Sequence, residues 1–176
     1  MEVFGIGHSK LAAAELLALL AENEIALVAD VRRFPVSSRH PQHARPALEA
    51  ALRVAGIGYE FLGRELGGRL QPEVPIERSE NRALREPAFR AYADALESPA
   101  FVAGLARLET LARERRSAFL CAERDWRQCH RRILSDALVA RGWRVVHLEC
   151  PGGRESHALD PHARIAGGRL SYPSLL

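Results

Sequence analysis

Ser117-Ala-Phe-Leu-Cys121-Ala-Glu123-Arg-Asp-Trp-Arg-Gln-Cys129-His130-Arg131-Arg132 decides how the rest of the chain is read. Its apolar run, residues 118–120, stops at a cysteine and a carboxylate. Eight residues after Cys121 come Cys129, His130 and two arginines, and then Ile133, Leu134, Ala137 and Leu138 recur at helical spacing. The pattern predicts a buried strand, a polar turn and a helix, with thiol, carboxylate, imidazole and guanidinium groups gathered at the turn. Asp125 is placed to cap that helix, with Gln128 three residues on as its capping-box partner.

Working outward, apolar runs alternate with helical patterns. Val3-Phe4-Gly5-Ile6-Gly7 reads as a first strand with His8-Ser9 at its end, and Leu16, Leu17 and Leu20 mark a helix between Lys10 and Asn23. Residues 25–31 form a second strand finishing on Asp30 and Arg32. Pro35 and Pro41 bracket a loop. Pro46 then opens a helix on Leu48, Ala51, Leu52 and Ala55 that Gly56 ends. Residues 57–62 are a third strand. The segment from Gly63 to Glu86 is long for a connection and predicts a functional loop or lid. Pro87 and Ser98-Pro99 open two more helices, Trp143 to Leu148 gives a fifth strand, and Arg164 to Tyr172 reads as a hairpin. The expected fold is α/β: three αβα layers, a mainly parallel central sheet of about five strands and a small C-terminal hairpin, in a single domain over residues 1–176.

Composition narrows the class. Of 176 residues, 47% are hydrophobic and 27% charged, ordinary for a water-soluble globular chain. No apolar run approaches the roughly 20 residues of a membrane span, and no secretory signal precedes the first strand. Three cysteines make no disulfide framework, so a reduced, cytoplasmic setting is expected. Lys10 is the only lysine among 25 basic residues, and the arginines are spread along the chain. The net charge of +3 permits a nucleic-acid partner without arguing for one. Oligomeric state is left undetermined.

In folds of this kind ligands bind outside the carboxyl ends of the strands, where strand order switches. Those ends carry His8 and Ser9, then Asp30 and Arg32, then Arg64, then Cys121 and Glu123, with Cys129, His130 and Arg131 entering from the helix. Glu123 and His130 are the natural acid/base pair, with Arg32 and Arg131 to hold an anion. Cys121 is a candidate nucleophile if His130 or a helix N-terminus activates it; otherwise it packs as a strand-end cysteine. Cys121 and Arg127 have Cys-x5-Arg spacing, but the intervening Glu123 and Asp125 suit a phosphate poorly. A metal on Cys121, Glu123, Cys129 and His130 is disfavoured, because adjacent Cys129 and His130 diverge on a helix; no metal ligand is assigned and no cofactor is specified. Glu123 and Arg131 are alternatively an ion pair closing the turn, Asp30 alternatively pairs with Arg32, and Ser9 alternatively caps the first helix. His40, His43, His157 and His162 are expected exposed in loops, and His147 packed on a strand.

Several of these motifs together resemble the domain-of-unknown-function 488 family of bacterial and archaeal proteins. They are Gly5-Ile-Gly-His8-Ser9, Asp30-Val-Arg32-Arg-Phe-Pro35, Gly56-Ile-Gly-Tyr59, Leu66-Gly67-Gly68, Phe89-Arg90-Ala-Tyr92, and Cys121-Ala-Glu123 followed by Cys129-His130-Arg131. The chain departs from the pattern at Gln42-His43, where relatives tend to carry an aromatic residue. The resemblance implies an α/β domain and no particular reaction. The side chains themselves point to a hydrolase or group transferase acting on a small anionic or nucleotide-like substrate. The competing reading is a non-catalytic nucleotide- or nucleic-acid-binding module using Arg32, Arg33, Arg64 and Arg131.

Overall fold

The structure, a computed structural model, describes residues 1–174. Six strands form the central sheet: β1 (Glu2–Gly7), β2 (Leu27–Asp30), β3 (Gly58–Phe61), β4 (Ser117–Cys121), β5 (Arg144–Glu149) and β6 (Gly153–Ser156). They lie in the order β3-β2-β4-β1-β5-β6, all pairings parallel except β5 with β6. The helices are α1 (Ala13–Glu22), α2 (Arg45–Val54), α3 (Gly63–Leu66), α4 (Pro87–Asp94), α5 (Pro99–Glu114) and α6 (Arg131–Ala140). A separate hairpin, β7 (Arg164–Ala166) with β8 (Arg169–Ser171), packs near the C-terminus. The αβα architecture expected from the alternation is therefore present, with one strand more.

Strand alternation sorts the core into two layers. Phe4, Ile6, Val28, Ala118, Leu120, Val146 and Leu148 face α1 and α2, where Leu16, Leu20, Leu48 and Leu52 meet them. Val3, Ala29, Phe119, Cys121 and Val145 face the other way, onto Tyr92, Phe101, Leu108, Ile133 and Leu134 of α4, α5 and α6. Parallel crossovers are right-handed, so the direction of each connection fixes the face its helix covers. The chain leaves β2 toward β3 on the α2 face and leaves β4 toward β5 on the α6 face. Adjacent β2 and β4 thus send their connections apart, which opens a crevice above their carboxyl ends.

Four local differences have physical causes. The first helix starts at Ala13, not Lys10: Ser9 sits at φ +45°, and the Ala12 N–H donates to the Glu15 carboxylate at 2.6 Å. Asp125 caps only a 3-10 turn, Trp126–Gln128, through the Arg127 N–H, so α6 begins later than expected and Gln128 makes no capping box. β6 is a short polar edge strand with no apolar alternation to announce it. The segment after Gly63 contains α3 and is fastened at its far end. Ser79 and Asn81 both donate to the Asp94 carboxylate at 2.7 Å, and the Asn81 side-chain oxygen accepts the Tyr172 N–H.

His43 and His157, expected exposed, are buried at their side chains. His157 joins a polar network beneath the hairpin: its Nε2 bonds Asp136 Oδ1 at 2.8 Å and its Nδ1 lies 3.0 Å from His147 Nε2. The Tyr172 hydroxyl donates to Asp136 Oδ2 at 2.7 Å. Asp136 is fully buried, so each of these bonds replaces lost hydration. Tyr172→Phe leaves Asp136 Oδ2 without its donor and should lower stability by about 1–3 kcal/mol. A urea-unfolding midpoint unchanged from the parent chain would contradict this account.

Candidate active site

A cleft of about 200 Å³ sits above the β2/β4 switch and is lined from both sides of it. Arg32, Arg33 and Phe34 come from the turn after β2, and Cys121, Ala122 and Glu123 from the end of β4. Gln128, Cys129 and His130 approach from the entry to α6, while Gly68, Arg69, Ala88 and Phe89 form the outer wall.

The β2 side is built on a buried ion pair. Arg32 Nε and Nη2 grip the Asp30 carboxylate at 2.9 and 2.6 Å, and the Arg32 N–H adds a third bond at 3.0 Å. Arg32 Nη1 donates to the His43 carbonyl at 2.6 Å and to His8 Nε2 at 3.1 Å. The Tyr59 hydroxyl donates to Asp30 Oδ2 at 2.8 Å. Arg32 therefore lines the cleft with most of its donors already committed. His8 stacks on His43 with ring centroids 4.0 Å apart. Burial, helped by the neighbouring His43 and Arg32 charges, pushes His8 down to about 3, so it serves here as a neutral acceptor.

The β4 side brings three reactive groups together. His130 Nδ1 lies 3.6 Å from Cys129 Sγ and 3.9 Å from Cys121 Sγ, and its Nε2 lies 3.1 Å from the Val31 carbonyl. That carbonyl accepts only, so Nε2 carries the proton and the Nδ1 lone pair faces the thiols. On a helix, neighbouring side chains would diverge by about 100°. Cys129 is instead extended (φ −130°, ψ 152°) and His130 only begins α6, which lets both face one point. The Cys121 thiol donating toward Cys129, with the Arg131 charge beside it, holds Cys129 well below the usual thiol range against the opposing effect of burial. The same bond, together with burial, pushes Cys121 up.

Close backbone approach makes the cluster possible. A Cβ on Gly68 would stand 2.5 Å from His130 Nδ1, and one on Gly7 would stand 1.8 Å from the Glu123 carbonyl. Arg131, 1% exposed, pins the turn from beneath by donating Nη2 to the carbonyls of Glu123 and, at 3.2 Å, Arg124. Tyr92 covers the His130 ring at 5.1 Å and anchors its own hydroxyl on the Leu66 carbonyl.

Of the residues expected at the site, Cys121, Glu123, His130 and Arg32 share the cleft. His8 and Asp30 lie behind it and hold Arg32. Arg131 is buried on main-chain carbonyls and makes no ion pair with the Glu123 carboxylate. Ser9 lines a separate depression with Lys10 and Cys150, and Arg64 another beside α4 and α5. Arg127 stacks on Trp126 and pairs with Asp125 and Glu155, outside the cleft, which removes the Cys-x5-Arg phosphate loop. Sequence reasoning left out Phe34, Arg69 and Phe89, weighed Cys129 only as a disfavoured metal ligand and named Arg33 only for the binding-module reading. The Cys129-His130 adjacency and the Gly67-Gly68-Arg69 run were the visible signals. Arg33 donates Nε to the Gly68 carbonyl at 3.0 Å, which joins the two walls.

Two measurements check this construction. Gly68→Ala should displace the His130 ring, shifting its imidazole NMR signals while the far-UV spectrum stays that of the parent; unchanged ring signals would contradict the close approach. His8, at about 3, and His147, which burial and His157 lower to about 2, are both neutral in the fold. The unfolded chain takes up their protons near pH 6.5, so stability is full above 6.5 and falls as the pH drops below it, by about 1.4 kcal/mol per unit for each group. Urea unfolding should therefore show a loss of about 2–3 kcal/mol between pH 7.5 and 5.5, and equal stability at both would refute it.

Comparison with curated proteins and with solved structures gave no match. The family model described as Domain of unknown function DUF488 matches residues 12–138. That span includes every cleft residue named above, from Arg32 to His130. The chain belongs to the DUF488 family.

Proposed function

We propose that this chain is an enzyme, a hydrolase or group transferase, working on a small anionic or nucleotide-like substrate in the β2/β4 cleft. One observation carries the reading: Cys121, Cys129 and an oriented His130 share the cleft with the Glu123 carboxylate. A surface that only binds has no need to orient one imidazole against two thiols. Glu123 is exposed at the rim, where a carboxylate exchanges protons with water and acts as general acid or base. The Val31 carbonyl keeps His130 Nδ1 turned to the sulfurs.

The walls support the substrate class. Arg33 and Arg69 flank the opening and give it positive charge. Phe34, 61% exposed, and Phe89 offer flat apolar faces suited to a base or another planar group. The non-catalytic arginine edge is the weaker reading, because Arg32 and Arg131 are held by protein acceptors and Arg64 faces elsewhere.

A thermal-shift screen of phosphorylated metabolites, nucleotides and nucleosides tests the proposal. Hits should raise the melting temperature of the parent chain, as any ligand binding only the folded state must. They should fail on Arg33→Ala or Arg69→Ala, and a ligand consumed by the parent should persist with Glu123→Ala. Binding that is indifferent to all three substitutions would overturn this assignment.

A further inference from the structure

We propose that Cys121, Cys129 and His130 hold a divalent zinc-type cation through Sγ, Sγ and Nδ1, with the fourth coordination position open to the cleft. The three ligand atoms all lie within 4.8 Å of one another. Zinc bonds to sulfur at about 2.3 Å and to nitrogen at about 2.0–2.1 Å, so a tetrahedral site separates a sulfur from a nitrogen by about 3.5 Å. The two sulfur–nitrogen separations, 3.6 and 3.9 Å, are near that value before any ligand adjusts.

The surroundings supply an independent argument. A metal-binding histidine donates its other ring N–H to a carbonyl or carboxylate, which turns the bare nitrogen to the metal. His130 Nε2 on the Val31 carbonyl at 3.1 Å meets that requirement. The Tyr92 ring, packed on the imidazole, limits its rotation. Gly68 keeps its wall close without touching Nδ1, as no larger residue would. Arg131 holds the carbonyls of Glu123 and Arg124, fixing the turn that joins the two cysteines.

The donor set selects the ion. Two thiolates and an imidazole suit zinc and its soft neighbours, whereas magnesium and calcium require oxygen ligands. Two thiolates also cancel a divalent charge, so the centre adds no net charge to a buried place. Closed structural zinc sites use four protein ligands; three ligands and an open position are the catalytic kind. The open position faces the cleft that Glu123 lines, so the inference deepens the enzyme reading, although cation binding itself does not depend on it. On this assignment the cysteines are ligands, and the ion would supply Lewis acidity at its open position.

Cobalt(II) titration of the reduced, chelator-treated full chain tests the site. One equivalent should produce thiolate-to-cobalt charge transfer in the near ultraviolet and tetrahedral bands in the visible, and zinc should abolish both at one equivalent. Cys121→Ser, Cys129→Ser and His130→Ala should each lose or shift these bands, and Cys150→Ser should retain them. Circular dichroism of each variant separates a lost ligand from a lost fold. A parent chain giving no charge-transfer band overturns the proposal, as does a band that survives Cys121→Ser/Cys129→Ser. Glu123→Ala should keep the cobalt spectrum, so loss of turnover with an intact spectrum reports on the enzyme reading alone.

Discussion

The Asp30–Arg32 ion pair is the interaction on which the site is built. Both side chains are buried, and the bidentate grip is completed by the Arg32 main-chain N–H. Desolvating two charges is costly, and such a pair persists when further hydrogen bonds satisfy what remains. Here His8, the His43 carbonyl and the Tyr59 hydroxyl do so, drawing on β1, on the 3-10 turn before α2 and on β3. Removing either partner would leave a buried charge uncompensated, a loss of roughly 3–5 kcal/mol in comparable pairs. The pair also fixes the chain on either side of Val31, whose carbonyl orients His130.

Across the switch the logic is steric. β1 and β2 keep bonding to β4 past their last residues: the His8 N–H reaches the Cys121 carbonyl at 3.0 Å and the Val31 N–H reaches the Leu120 carbonyl at 3.0 Å. Glycine at 7 and at 68 lets the neighbouring backbone and the imidazole come closer than any Cβ would permit. The functional groups are thus placed by main-chain packing, and precision at the site comes from strands and helix ends rather than from a mobile loop.

The fold was legible because hydrophobic period and punctuation agreed along most of the chain. Leu48 and Leu52 between Pro46 and Gly56, or Phe101, Leu105 and Leu108 after Ser98-Pro99, leave one reading each. β6 escaped because Gly153-Arg-Glu-Ser156 is a polar edge with one neighbour, and edges need no apolar alternation. At the site, Cys121, Glu123 and His130 were legible as strand-end and helix-entry residues. Arg131 was misplaced because the five-residue delay in α6 makes it the first helical residue, on the buried face with Leu134 and Leu138. The same delay invalidates the argument against Cys129 and His130 acting at one point.

The sequence by itself determined the layered α/β fold, the family, and which strand ends carry thiol, carboxylate and guanidinium side chains, since periodicity and motif are local properties. Only the tertiary structure decided which polar groups are available and which are structural. Arg32, Arg131 and His8 are ligand candidates in the sequence and are held by protein partners in the structure, because burial makes an unpaired polar group costly. Cys129 and His130 are adjacent in the sequence, but that both face Cys121 was decided only by the tertiary structure, because it depends on where α6 starts and on how closely Gly68 approaches.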